Sequence, residues 1–233
     1  MGYYSHRKRR KHFRTGSLLL LLLFSALFLV SCVTGANTLW VKGILGLDLT
    51  DYRAETVTQT LPLEGEVADS LCQGIEIFTV NNTELKPFTK ASQAVTYYRD
   101  EILNNMLCEG YSHYTANSAN LAKVEAAYPN LNVSTLIPTA DLENTVSRYF
   151  GTQRVRHMDG ELFNYLDRAE CYSFSIKAWE RTVEVVPEQI EETYHTYRFS
   201  FRLTDGEKVS NLYTAVFVKR NDGTCYIRAL DVE

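Results

Sequence analysis

The chain has 233 residues with 24 Lys and Arg against 28 Asp and Glu, for a net charge of −4. All six basic residues of the first 31 (Arg7, Lys8, Arg9, Arg10, Lys11 and Arg14) stand together, so residues 32–233 hold 18 basic and 28 acidic residues, a balance of −10. So acidic a body argues against nucleic acid as a partner, while its roughly 200 residues suffice for one ordinary core.

The basic stretch "HRKRRKHFR" precedes "LLLLLLFSALFLV", Leu18 to Val30. This order holds the N-terminus inside by the positive-inside rule. The 13-residue apolar run is short for a bilayer span of roughly 20 residues, but suits the apolar region of a signal peptide. It ends in "LVSC" (Leu29, Val30, Ser31, Cys32).

That ending resembles the lipobox of bacterial lipoprotein precursors, a resemblance covering about 32 residues. It implies that the Cys32 thiol receives a diacylglyceryl group, that cleavage precedes Cys32, and that the acylated cysteine anchors the chain. Paired acyl chains hold a protein on a membrane where one chain holds it only marginally. The basic segment is longer than in most lipoprotein signals. The following "VTGANTLWVKGILGLDL" is rich in apolar residues (Leu39, Trp40, Val41, Ile44, Leu45, Leu47) rather than a polar tether. Two alternatives stay open. One is a retained membrane helix extending through Val33 to Ala36, with Trp40 and Lys42 at the interface. The other is ordinary cleavage near Ala36. All three place residues 50–233 outside the cytoplasmic membrane.

Residues 32–63 are expected to be a membrane-proximal linker, ending in the polar, Thr-rich "TDYRAETVTQTLPL", itself a linker or an extended lead-in. One α+β domain is then expected over 64–233, mainly helical over 64–151 and mainly strands over 152–233. In "EVADSLCQGIEIF", Val67, Leu71, Ile75 and Phe78 form a helical stripe, which Gly74 weakens. The longest helix is predicted next, capped by Thr89 and ended by Gly110. Ala91, Ala94, Val95, Tyr98, Ile102 and Met106 make its apolar face. A further helix starts at Ser118, places Leu121, Val124 and Tyr128 on one side, and stops at Pro129. Another is capped by Thr139, carries Asp141 in its first turn, presents Leu142, Val146 and Tyr149, and ends at Gly151.

From about Gln153 the period changes to alternation. "AECYSFSIKAWERTVEVV" gives one or two strands ended by Pro187. "YHTYRFSFRL" puts Tyr197, Phe199, Phe201 and Leu203 on one side, and "LYTAVFVKR" and "CYIRALDV" follow, joined by the turns "TDGEK" and "NDG". Helices followed by an antiparallel meander make an α+β order. The order is similar to that of the cystatin-like and nuclear-transport-factor-like folds, an analogy of element order that carries no function.

Four cysteines remain beyond Cys32: Cys72, Cys108, Cys171 and Cys225. They permit two disulfides in three pairings, with Cys171 and Cys225 in strand-like stretches that could face each other. The alternative is four small buried side chains. The spacing is not that of a zinc site, and no metal or cofactor is expected.

His113, His157 and His195 belong to no HExxH motif, and neither GxSxG nor a glycine-rich phosphate loop occurs. The carboxylates Asp167 and Glu170 read as a solvated turn, and Glu188 to Glu192 as a loop tip. Tyr98 belongs to the core stripe. Tyr97, Tyr111 and Tyr114 form a candidate binding surface, since tyrosine offers large amphipathic area at low entropy cost. The expected protein is therefore a membrane-anchored, extracytoplasmic, non-catalytic domain binding a protein or cell-wall component. The alternatives are an enzyme acting on the wall or an exported substrate, and a single-span protein with an external sensor domain.

Overall fold

In "TYRFSFRLT" the aromatic and aliphatic side chains alternate with polar ones, and a strand of that pattern buries one face and shows the other. The computed structural model describes residues 55–233, apart from 116–117, 134, 153 and 175–179, together with Ser25. The apolar run and Cys32 otherwise lie outside the described residues. The chain divides into units Met1–Asp51 and Tyr52–Glu233, and the second is described here. It is α+β. Among the described residues it has five helices, α1 (Glu66–Glu76), α2 (Ala91–Glu109), α3 (Tyr111–Thr115), α4 (Ser118–Ala127) and α5 (Thr139–Phe150). Its eight strands are β1 (Gln59–Leu61), β2 (Leu136–Pro138), β3 (Phe163–Leu166), β4 (Cys171–Phe174), β5 (Glu184–Glu192), β6 (Thr196–Thr204), β7 (Tyr213–Lys219) and β8 (Cys225–Val232).

Both sheets are antiparallel. The larger has order β1-β5-β6-β7-β8, and the smaller β2-β4-β3. Phe199, Phe201 and Leu203 of β6, with Ala215 and Phe217 of β7 and Ile227 and Leu230 of β8, are buried in the main core. Residues of α1, α2 and α5 join the same cluster. All six residues expected on the apolar face of α2 are buried. At the heart of this core Phe78, Phe88, Tyr98 and Phe150 meet ring to ring, at centroid distances of 4.8–6.4 Å. A second, smaller core forms where Val124 of α4 meets Leu136, Leu166, Ala169 and Cys171, with Leu121 and Tyr128 at its margin.

Several expectations are corrected. Residues 59–61 are an edge strand of the large sheet rather than linker, pairing Gln59 with Glu192 and Leu61 with Ile190. The buried stripe of α1 is Ala68, Leu71 and Ile75, and Val67 is exposed. Gly74 explains this setting: a Cβ there would stand 2.6 Å from the Phe217 ring, so α1 lies against the sheet where its side chain is smallest. α2 begins after Lys90 rather than Thr89. The Gln93 side-chain oxygen accepts the backbone N–H groups of Thr89 and Lys90, satisfying donors that a helix start leaves open. Thr139 is the first helical residue of α5, with Pro138 in the extended cap position. Gly151 does end α5, in the left-handed region at φ 66°, with Tyr226 packed on it.

Pro187 does not end a strand, and Glu188 to Glu192 is not a loop tip. Both belong to β5, which runs on to Glu192. β1 covers β5 only at 190–192, and the pairing with β6 shifts between Pro187 and Gln189. Edges and bulges are where a sheet tolerates proline. The tip of this hairpin is instead Thr193 to His195, where Tyr194 is 80% exposed. Among the described residues no helix is long and apolar enough to cross a membrane.

Candidate functional site

His157 lies in the segment between α5 and β3. Gly151 reverses the chain there, so that His157 returns beside Glu143, two turns back along α5. Its Nε2 is 3.0 Å from Glu143 Oε1 and its Nδ1 is 2.9 Å from the Tyr172 hydroxyl. The ring stacks on Tyr165 with centroids 5.4 Å apart. Tyr172 sits on β4 and is fully buried. Burial pushes its hydroxyl up to about 12, and the backbone N–H of Met158 also bonds to it.

The neighbouring loop is held equally firmly. Asp100 of α2 accepts the N–H of Glu161 at 2.6 Å, and Arg99 donates to Asp100 at 3.1 Å and to the Asp159 carbonyl at 2.9 Å. Asp159 in turn accepts the N–H of Tyr165 at 2.7 Å. Burial, with Asp100 and Glu161 nearby, pushes the Glu101 carboxyl upward.

His195 occupies a different place, the β5–β6 turn. Its Nδ1 is 2.5 Å from Glu55 Oε1, and its N–H donates to Glu55 Oε2 at 3.2 Å. Thr193 Oγ1 donates to the same carboxylate at 2.5 Å, and Arg198 donates to the Glu55 carbonyl at 2.6 Å. Burial pushes the Glu55 carboxyl up, but the bonds from Thr193 and His195 outweigh it and hold the group below its ordinary value. His113 is largely exposed, with Nε2 4.0 Å from Asp141. Each of these three histidines thus meets a carboxylate, at three separate places.

The tyrosines are likewise divided. Tyr111 is 59% and Tyr97 41% exposed. Fourteen residues of largely helical chain separate them, about 20 Å at the helical rise. Lys86 Nζ lies 5.9 Å from the centre of the Tyr97 ring. Tyr114 is partly buried against the core beside Gly110, and burial together with its bond to Asp141 raises its hydroxyl. Tyr111 and Tyr114 therefore share one end of α2, and Tyr97 lies elsewhere.

None of Cys72, Cys108, Cys171 and Cys225 is in a disulfide. Cys171 is buried in the small core and donates to the Ala169 carbonyl at 3.2 Å, whereas Cys225 begins β8 of the large sheet. They belong to different sheets, and the expected facing pair is not formed. Burial raises all four, with Cys72 pushed up to about 11, and this is the opposite of what a thiolate nucleophile needs. Among the described residues no three His, Cys, Asp or Glu side chains are grouped to hold a metal ion.

Sequence reasoning missed Glu143, Tyr172 and Glu55. Gly151 was the available signal for Glu143, because a helix stop there folds the following segment back along α5. A scan against protein-family models, a search of curated proteins and a search of solved structures each returned no match.

Proposed function

We propose that this chain is a lipoprotein exported across the cytoplasmic membrane and held at its outer face by acyl chains on Cys32. Its folded part is a non-catalytic domain that binds a protein or cell-wall component. The observation that carries the reading is Leu29-Val30-Ser31-Cys32 at the end of a 13-residue apolar run behind a basic segment. Anchoring raises the domain's effective concentration toward partners at that surface.

The histidines and thiols of the domain support a binding role over catalysis. Both ring nitrogens of His157 are engaged, one by a fully buried tyrosine. The four thiols are all shifted away from ionisation. Tyr111 offers the larger exposed ring of the expected surface. Photo-cross-linking in cells tests this, with benzoylphenylalanine in place of Tyr111, of Tyr97, or of Val209 as an exposed control. A discrete adduct from position 111 or 97 and not from 209 supports the reading. The same faint background at all three positions contradicts the tyrosine surface.

A further inference from the structure

The domain is acidic overall, yet five arginines lie close in the chain to the end of α5 and the start of β8, and among the described residues none of them is in an ion pair. Arg148 stands in the last turn of α5, Arg154 and Arg156 follow Gly151, and Arg220 and Arg228 stand on either side of the start of β8. Contacts bring two of them, Arg148 and Arg220, to the same end of α5. Arg220 Nη2 donates to the Ser147 carbonyl at 2.7 Å, and its guanidinium lies 5.0 Å from the centre of the Tyr226 ring. That ring occupies the space beside Gly151, 2.6 Å from where a Cβ would stand. Arg148, next to Ser147, lies 5.1 Å over Tyr149. Arg154 is three residues from Gly151 and Arg228 two from Tyr226, at most about 10 and 7 Å of extended chain.

Asp222 in the adjoining turn acts on Arg220 through space, but its carboxylate is occupied by the N–H and hydroxyl of Thr224, at 3.0 and 2.7 Å. Glu143, farther back on α5, is committed to His157. The helix dipole favours cations at the end of α5, which accounts for Arg148 and Arg220. It does not account for Arg154, Arg156 or Arg228, whose charges repel one another and these two. Arg148, Arg154 and Arg156 are exposed. Arg220 spends its edge inside the fold, Nη2 on the Ser147 carbonyl and Nη1 on the Thr224 hydroxyl at 3.3 Å, whereas the exposed Arg148, Arg154 and Arg156 can turn theirs outward, the edge that grips phosphate.

The location of this end of α5 matters. Glu55, where the chain leading from Cys32 joins the described domain, is bonded to His195. The His195 carbonyl accepts the N–H of Lys219, the residue before Arg220. Arg220, with Arg148 beside it, therefore stands at the end of the large sheet that also carries Glu55, the first described residue of the domain.

We propose that this arginine face binds the phosphate groups of anionic phospholipids and lays the domain onto the membrane that holds its anchor. Tyr149 and Tyr226 supply amphipathic rings of the kind that favour a membrane interface, and the site needs no net positive charge on the domain, since screening confines each interaction to about 8–10 Å. The proposal rests on the anchored reading above.

The test uses the full chain in lipid nanodiscs of phosphatidylcholine, alone or mixed equally with phosphatidylglycerol. Co-elution with discs of either composition reports the anchor. Backbone hydrogen exchange over residues 147–156 and 219–228 reports the face. The expected result is several-fold slower exchange there in the mixed discs. High salt and the triple variant Arg148→Gln, Arg154→Gln, Arg156→Gln should both abolish the slowing. Equal exchange in the two compositions overturns the proposal. So does equal slowing by inorganic phosphate added to phosphatidylcholine discs, which would mark a site for the free anion. If the chain travels with neither disc, the anchored reading falls, and the same exchange comparison is run with vesicles of the two compositions. Slowing confined to the phosphatidylglycerol vesicles still supports the face, and its absence overturns it.

Discussion

The Tyr172 hydroxyl stands 2.9 Å from Nδ1 of His157, with no solvent access to the tyrosine. One hydroxyl thus joins β4 to the segment that follows α5, and Glu143 closes the chain from the helix side at 3.0 Å. Removing it leaves both the imidazole Nδ1 and the Met158 N–H without their partner. Tyr172→Phe is expected to cost about 1–3 kcal/mol, the range for orphaned buried polar groups. Tyr194→Phe, at an exposed tip, should fall within about 0.5 kcal/mol of the parent. Urea unfolding of the two variants checks the contrast, and equal losses would contradict it.

Gly151 closes α5 at φ 66°, against the ring of Tyr226. An L-residue with a Cβ is strained in that region by about 1–2 kcal/mol, and alanine would also press on Tyr226. Gly151→Ala should therefore lower stability by at least that amount. Gly206→Ala, at φ 88° in the open β6–β7 turn with nothing within 4 Å, should show the backbone part alone. A smaller loss at 151 than at 206 would refute the packing argument.

Glu55 ties the entering chain to the β5–β6 turn, and its carboxyl is held below the ordinary value of 4.5. A depressed carboxyl contributes stability above its unfolded-state pKa and loses it as the pH falls through the folded-state value. Glu55→Gln should thus be less stable than the parent at neutral pH, with the gap closing as the pH drops below 4.5. Thermal unfolding across that range measures it. A gap independent of pH would mean that the carboxylate's charge is immaterial.

The thiols are separated by burial. Cys108 is exposed and Cys171 is 1% exposed. Maleimide should label Cys108 first in the native protein and Cys171 only on unfolding. In denaturant without reductant, four free thiols are expected if Cys32 is acylated, and a smaller number would reveal disulfides among Cys72, Cys108, Cys171 and Cys225.

The large elements were legible because their periodicity is strong. The six apolar positions of α2 and the Phe199, Phe201, Leu203 alternation needed only regular geometry. Pro187 and the carboxylates after it misled, since a proline inside a strand is allowed only by the partial cover of its neighbour, a property of pairing rather than of the local sequence. Val67 misled because the close approach at Gly74 sets the rotation of α1. The His157 site was legible only as a lone histidine. Its partners come from α5 and β4, and no spacing rule joins Glu143, His157 and Tyr172. The β1 strand was masked by its polar, Thr-rich sequence, whose pairing is supplied by β5.

The central claim is that Cys32 carries the membrane anchor, and intact mass of the membrane-extracted protein tests it most directly, beside a Cys32→Ala variant. The account predicts that the parent lacks residues 1–31 and has gained at least a diacylglyceryl mass, while the variant keeps its full N-terminus. A parent and variant that both retain Met1 to Ser31 without lipid would contradict it and leave the apolar run as a permanent membrane helix.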